Sequence, residues 1–161
     1  MKTDSTQIKE TLTKDMRPTW LKMLSKNIGG NLEAKIATTS ALMMDIILYQ
    51  PQMIMIQEHM LLNRTKAQFR KIFKIPGYTL ITHSKATETN GRPSGGLAIW
   101  VSDTMAASFK INQLKNTAYL QKISLKPKDT RDQPLHISNI YCKPDWDIDT
   151  VQQFLEDTRP H

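Results

Sequence analysis

Apolar positions along the chain fall first into short runs and spaced stripes by turns, and later into a series of short runs. Residues 1–19 are mostly polar, with Ile8 and Leu12 four apart. That spacing predicts either a short helix ended by Pro18 or a flexible leader. Partial alternation from Leu21 to Ile28 predicts a strand, and Asn27-Ile28-Gly29-Gly30-Asn31 a turn. Asn31 suits a helix N-cap, and Glu33 lies where the helix dipole favours an acid. Ile36, Met43, Ile46 and Ile47 share one helical face, interrupted at Ser40, and the helix has to end before Pro51. Met53 to Gln57 is short and apolar, as buried strands are. Residues 63–74 read as a basic helix carrying Phe69 and Phe73, broken by Pro76-Gly77. Tyr78 to Thr82, Leu97 to Val101, Leu120 to Leu125 and Leu135 to Tyr141 read as strands. Asn90-Gly91 is a tight-turn signal, Lys126 to Pro134 a polar turn region, and Asp147 to Asp157 a helix. Strand, helix, strand, helix and then several strands predict a layered α/β or α+β domain over residues 20–161.

Composition narrows this picture. Of 161 residues, 39 % are hydrophobic and 23 % charged, which is ordinary for a globular domain. The most apolar stretch, Ala41 to Gln57, contains Asp45, Gln50, Pro51 and Gln52, so it does not read as a membrane span. A lone cysteine, Cys142, excludes an intrachain disulfide and argues against a cysteine-built zinc site; an intracellular, reducing setting is the natural expectation. The formal net charge of +7 suits a polyanionic partner such as nucleic acid, or simply a solvated basic surface.

Among candidate chemical groups, Glu58 is the most informative. It follows directly on the apolar run Met53-Ile54-Met55-Ile56-Gln57, so a buried strand would hold its carboxylate rigidly at a sheet edge, where a hard cation wants an oxygen ligand. The plainer reading is a surface acid at a strand end. Asn27 also ends a strand and precedes two glycines; its amide oxygen suits either a metal or phosphate contact, or ordinary turn chemistry. The paired glycines of Gly91-Arg92-Pro93-Ser94-Gly95-Gly96 permit close backbone approach or a hairpin entry, and the segment is not a Walker loop. Tyr141 ends a strand and has a hydroxyl able to reach a phosphate, or to sit in water. Arg64, Lys66, Arg70, Lys71 and Lys74 give the helix with Phe69 and Phe73 a basic face, either phosphate-contacting or solvated. His59 lies beside Glu58 with no spacing to support acid–base work, and His161 is terminal. Neither a serine-nucleophile elbow nor an HExxH helix is present.

The order of these signals carries more than any one of them. Asn27-Ile28-x-Gly30 is followed by a helix, Pro51-x-Met53-Ile54-Met55-Ile56-Gln57-Glu58, Gly77-Tyr78, Gly91-Arg92, Gly95-Gly96-Leu97-Ala98-Ile99-x-Val101, and Asn139-Ile140-Tyr141 before Pro144. From about residue 21 onward this succession resembles the endonuclease/exonuclease/phosphatase superfamily, in particular the N-terminal part of the apurinic-like endonuclease domain of non-LTR retrotransposons. The resemblance implies a four-layer α/β sandwich of which the C-terminal part is missing. It implies a DNA endonuclease lineage using magnesium or manganese, with Glu58 and Asn27 as metal ligands and Tyr141 on the scissile phosphate, acting in the nucleus. The chain departs from the family pattern at Lys26, where a bulky residue is common, and at Gly29, where a second polar residue is common. The Gly-Asp-x-Asn and Ser-Asp-His-like motifs of the family are not among its residues. Weak or absent activity is therefore expected, with self-association through an exposed sheet face; a non-catalytic remnant that binds nucleic acid or protein is the alternative. No membrane partner is expected.

Overall fold

The structure is a computed structural model that describes residues 21–37, 40–62 and 65–159. The leader expected over 1–19, Arg64 of the basic helix and the terminal His161 lie outside the described residues.

Two sheets and a small hairpin form the frame. The first sheet has four strands in the order β1-β2-β6-β3: β1 (Met23–Asn27), β2 (Met53–Gln57), β6 (Leu97–Ser102) and β3 (Tyr78–His83). β1 runs parallel to β2, while β6 is antiparallel to both β2 and β3. The second sheet joins β7 (Phe109–Asn116), β8 (Leu120–Pro127) and β9 (Leu135–Ile140), all antiparallel. Between them in sequence, β4 (Thr87–Thr89) and β5 (Arg92–Ser94) pair across Asn90-Gly91. Both turn residues have positive φ, 53° and 74°, as a two-residue hairpin loop requires.

The unbroken apolar run of β2 is explained by two cores, one on each face of its sheet. Ile54 and Ile56, with Ala98, Trp100 and Leu80, face helices and pack against Leu32, Leu42, Met43, Ile46, Phe69 and Phe73. Met53 and Met55, with Ile99 and Val101, point the other way and meet Ile123, Leu125 and Ile137 of the second sheet. Successive strand residues alternate faces, so a strand between two cores must be apolar at every position. A helix over Ile148–Thr158 lies against the outer side of the second sheet, where Lys122 donates to the Thr158 carbonyl at 3.4 Å. The layers thus run helices, sheet, sheet, helix.

Three expectations need correction. The single helix drawn from Asn31 to Gln50 is two: α1 (Leu32–Lys35) and α2 (Ala41–Tyr49). Ser40 starts the second, accepting from Met43 N at 3.2 Å and donating to the Lys35 carbonyl. Asn31 stands at the N-cap position of α1 but in the left-handed region, and its side chain makes no cap bond. Ile47 is 60 % exposed, and Leu42 takes the buried place assigned to it. The basic helix is α3 (Lys66–Ile72), opened by a capping box between Thr65 and Gln68.

Residues 103–116, which the apolar pattern left unassigned, form α4 (Asp103–Ser108) and β7. β7 alternates only at Phe109 and Ile111, because a register shift between Gln113 and Lys115 breaks its period. Finally, neither inner sheet face is left open, because each covers the other. Four of the large apolar side chains in water among the described residues, Met44, Ile47, Leu48 and Tyr49, lie on α2; Met23, Ile72, Leu114, Leu135, Ile148 and Leu155 are scattered over other elements. The last helix, hereafter α5, begins at Asp147, which accepts from Thr150 N at 2.7 Å.

Candidate active site

Parallel pairing brings the ends of β1 and β2 level, with Asn27 beside Gln57. The turn after β1 then wraps over the end of β2: Ile28 N donates to the Gln57 carbonyl at 3.0 Å and Gly30 N to the Glu58 carbonyl at 2.6 Å. Glu58, the first residue past β2, has φ 59°. A non-glycine residue there costs about 1–2 kcal/mol, and such conformations persist only where surrounding contacts over-determine them. From the other sheet, Tyr141 is the first residue past β9, and its hydroxyl donates to Glu58 Oε1 at 2.5 Å. One end of the sandwich therefore joins a carboxylate from one sheet to a phenol from the other. Burial, and then the bond to Glu58 and its charge, push the Tyr141 hydroxyl above the usual tyrosine range; Tyr119 and Asp145 add to this. The phenol is held as a neutral donor.

Asn27 lies at the same strand end. Its side-chain oxygen accepts from Gly29 N at 3.0 Å, and the residue is exposed. Turn chemistry thus uses one lone pair of that oxygen and leaves the other.

Beneath this edge runs a buried polar ladder centred on Asn139, which the sequence placed in a motif with Tyr141 but gave no role of its own. Asn139 is 1 % exposed and donates to the carbonyls of Ile56 and Ala98 and to Gln121 Oε1, at 3.1, 3.3 and 3.2 Å. Its oxygen accepts from Gln57 Nε2 at 2.8 Å. Gln121 Nε2 continues to the Leu97 carbonyl at 3.0 Å and to Asn116 at 3.1 Å. Since side chains two apart in a strand share a face, Asn139 ties the sheets together directly below Tyr141. The available signal was Asn139 interrupting the alternation of an otherwise apolar-faced strand.

An aromatic group flanks the edge. The Tyr119 ring stacks near Tyr141 with centroids 6.3 Å apart and meets Trp146 edge-on at 5.3 Å; Trp146 in turn meets Phe154 at 5.1 Å. Lys143 Nζ lies 5.6 Å above the Tyr119 ring. Burial alone would raise the Tyr119 hydroxyl. Hydrogen bonds with Thr87, Ser94 and Lys143, together with the Lys143 charge, outweigh burial and hold it below the usual range.

His59 points away from this chemistry. It is 1 % exposed, and its Nδ1 accepts from Leu61 N at 3.0 Å. Burial first, and then His83, lower its pKa from 6.5 to about 4, against the opposing pull of the Ser84 and Leu97 backbone. Nε2 has no partner of good hydrogen-bond geometry. The ring is packed so tightly that a Cβ on Gly96 would lie 2.4 Å from His59 Cε1, and one on Gly95 would lie 2.7 Å from the Ala118 carbonyl. Close approach is therefore what the glycine pair provides. The basic helix α3 buries Phe69 and Phe73 and turns Arg70, Lys71 and Lys74 to solvent.

Among the described residues no three His, Cys, Asp or Glu side chains gather into a metal cluster. One carboxylate and one amide oxygen suit a hard cation that keeps several waters and leans on substrate phosphate; they do not suit zinc.

No protein-family model matches the chain, and no curated protein sequence does. Solved structures do match. The AP endonuclease LMAP from Leishmania major superposes with a TM-score of 0.63 at 16 % identity, over 88 % of this chain and 46 % of that one. The chain has an AP-endonuclease-type fold. The endonuclease domain of TRAS1, a telomere-specific non-LTR retrotransposon, gives a TM-score of 0.51 at 15 % identity, over 86 % of this chain and 54 % of that one. The chain thus spans about half the length of the structures it matches. The resemblance to the endonuclease/exonuclease/phosphatase superfamily, and the α/β sandwich it implied, agree with these neighbours.

Proposed function

We propose that the chain carries part of a metal-dependent DNA phosphodiesterase site, built on Glu58, Asn27 and Tyr141. The observation that carries this reading is the Tyr141–Glu58 hydrogen bond of 2.5 Å, made between the ends of strands from two different sheets, with Glu58 in a strained backbone conformation. Magnesium or manganese, when bound, would polarise a phosphate and stabilise the leaving oxygen. Tyr141 holds one Glu58 oxygen by hydrogen bond, so the second oxygen of Glu58 and the spare lone pair of Asn27 are the groups left for a cation. The single Tyr141 proton is given to Glu58 in the chain as it stands; with a cation on Glu58, that proton would be free to turn toward a phosphate oxygen. These groups bind and orient; activating the attacking water needs a base that none of the three supplies. Slow hydrolysis by this chain goes with that, as does a nuclear place of action, where a DNA substrate lies.

Nicking of supercoiled plasmid tests the reading. Slow nicking that needs magnesium, stops with EDTA and is lost in Glu58→Ala is the expected result. Nicking that survives in Glu58→Ala or in EDTA refutes it. The net charge of +7 favours a second reading, a nucleic-acid-binding remnant without catalysis. Retained DNA binding with no nicking under any metal would establish that second reading in place of the first.

A further inference from the structure

Beside the aromatic pair, the same region of the molecule holds a cavity of about 550 Å³ lined by Lys66, Lys85, Ser84, Thr87, Gln113 and Asn116 among others. Thr87 in its wall hydrogen-bonds the Tyr119 hydroxyl at 2.5 Å, so the cavity adjoins the Tyr119–Tyr141 pair. Its neutral polar groups are largely committed to the fold. Asn116 donates to the His83 carbonyl at 2.9 Å, Gln113 to the Ile81 carbonyl at 2.9 Å, and Ser84 Oγ accepts from Leu97 N at 2.9 Å. The two lysines are different. No aspartate or glutamate lines the cavity, and neither lysine forms an ion pair among the described residues. Lys66 is half-buried, and burial first, then the Arg70 charge, lower its pKa from the ordinary lysine value. A partly desolvated ammonium with a cation for a neighbour gains from an anion.

We infer that this cavity seats a backbone phosphate of a polynucleotide, held between Lys66 and Lys85 beside the Glu58–Tyr141 edge. The rim is rigid because its amides and hydroxyls are already bonded, so the anion meets a preformed seat. The choice of polynucleotide over free phosphate rests on the nuclease reading of the neighbouring edge, to which the cavity is joined through the Thr87–Tyr119 hydrogen bond.

The test is metal-free. Fluorescence anisotropy in EDTA measures binding of a short DNA duplex across a range of salt for the wild type, for Lys66→Gln/Lys85→Gln, and for Lys110→Gln/Lys128→Gln at the opposite end of the second sheet. The cavity variant is expected to bind about tenfold more weakly. Its log K against log salt plot should flatten by about one unit of slope, the loss of one phosphate contact. The control pair should change far less. Equal losses in both variants would reduce the effect to net charge and overturn the seat, as would unchanged binding in the cavity variant. Saturable binding of inorganic phosphate that needs the two lysines, with DNA affinity unaffected, would overturn the polynucleotide assignment. Since no cleavage is read, failure of the nuclease proposal in the plasmid assay leaves this result separately interpretable.

Discussion

Asn139→Ala probes the joint between the two sheets. Four hydrogen-bond contacts disappear, three shared between the two amide hydrogens and one accepted from Gln57, at 2.8 to 3.3 Å. An ordinary intramolecular hydrogen bond is worth about 1 kcal/mol net, and a buried partner left unmatched costs about 1–3 kcal/mol. Gln57 Nε2 retains Ser25 as an acceptor, which moderates the loss, whereas Gln121 Oε1 loses the donor that Asn139 gave it. Roughly 3–5 kcal/mol is therefore expected, a large part of the ~5–15 kcal/mol that stabilises a typical domain. At about 2–4 °C per kcal/mol, Tm falls by roughly 6–20 °C. Urea unfolding followed by the fluorescence of Trp100, which is 1 % exposed, measures it directly. A lower midpoint with unchanged slope is the expected signature. A loss under about 1 kcal/mol would mean that the ladder does not bind the sheets, and that the site above it is held by something else.

Other perturbations separate the remaining claims. Tyr141→Phe removes the donor to Glu58 but keeps the ring, so plasmid nicking should fall about tenfold or more while the unfolding free energy from urea titration falls by less than about 1 kcal/mol. His59 binds its proton more weakly folded than unfolded, so its contribution is complete above pH 6.5 and is lost as pH falls toward about 4. The shift corresponds to about 3 kcal/mol, and that component of the stability–pH curve should vanish in His59→Gln. Gly96→Ala combines a φ of 88° with a Cβ 2.4 Å from the His59 ring, whereas Gly77→Ala meets only a φ of 83° and open space. Unfolding titrations should show about 3 kcal/mol lost for the first and about 1 kcal/mol for the second; equal losses would contradict the packing of His59 against Gly96.

Strands were legible where burial dictated a simple pattern. β2, apolar from Met53 to Ile56, has a core on each face, and polar groups mark its ends. Asn90-Gly91 was legible for the same local reason, since only a tight turn uses two successive positive φ values so readily. β7 was not, because a bulge breaks its period before three matches accumulate. The break between α1 and α2 was written in Ser40, a capping residue that also interrupts a stripe, and the two meanings cannot be separated by periodicity alone. For the site, Glu58, Asn27 and Tyr141 could be nominated as strand ends. That two strand ends from different sheets converge, and that Asn139 fixes their meeting, depends on pairing across 83 residues of chain, which no local window contains.

The central claim is that the edge at Glu58 holds a divalent cation in company with a phosphate. Manganese titration monitored by water-proton relaxation, with and without a short uncleavable DNA analogue, measures this without relying on turnover. The account predicts weak manganese binding that tightens with DNA and is lost in Glu58→Gln while the far-UV spectrum is unchanged. Equal manganese affinity in the two proteins, with DNA present, would contradict it.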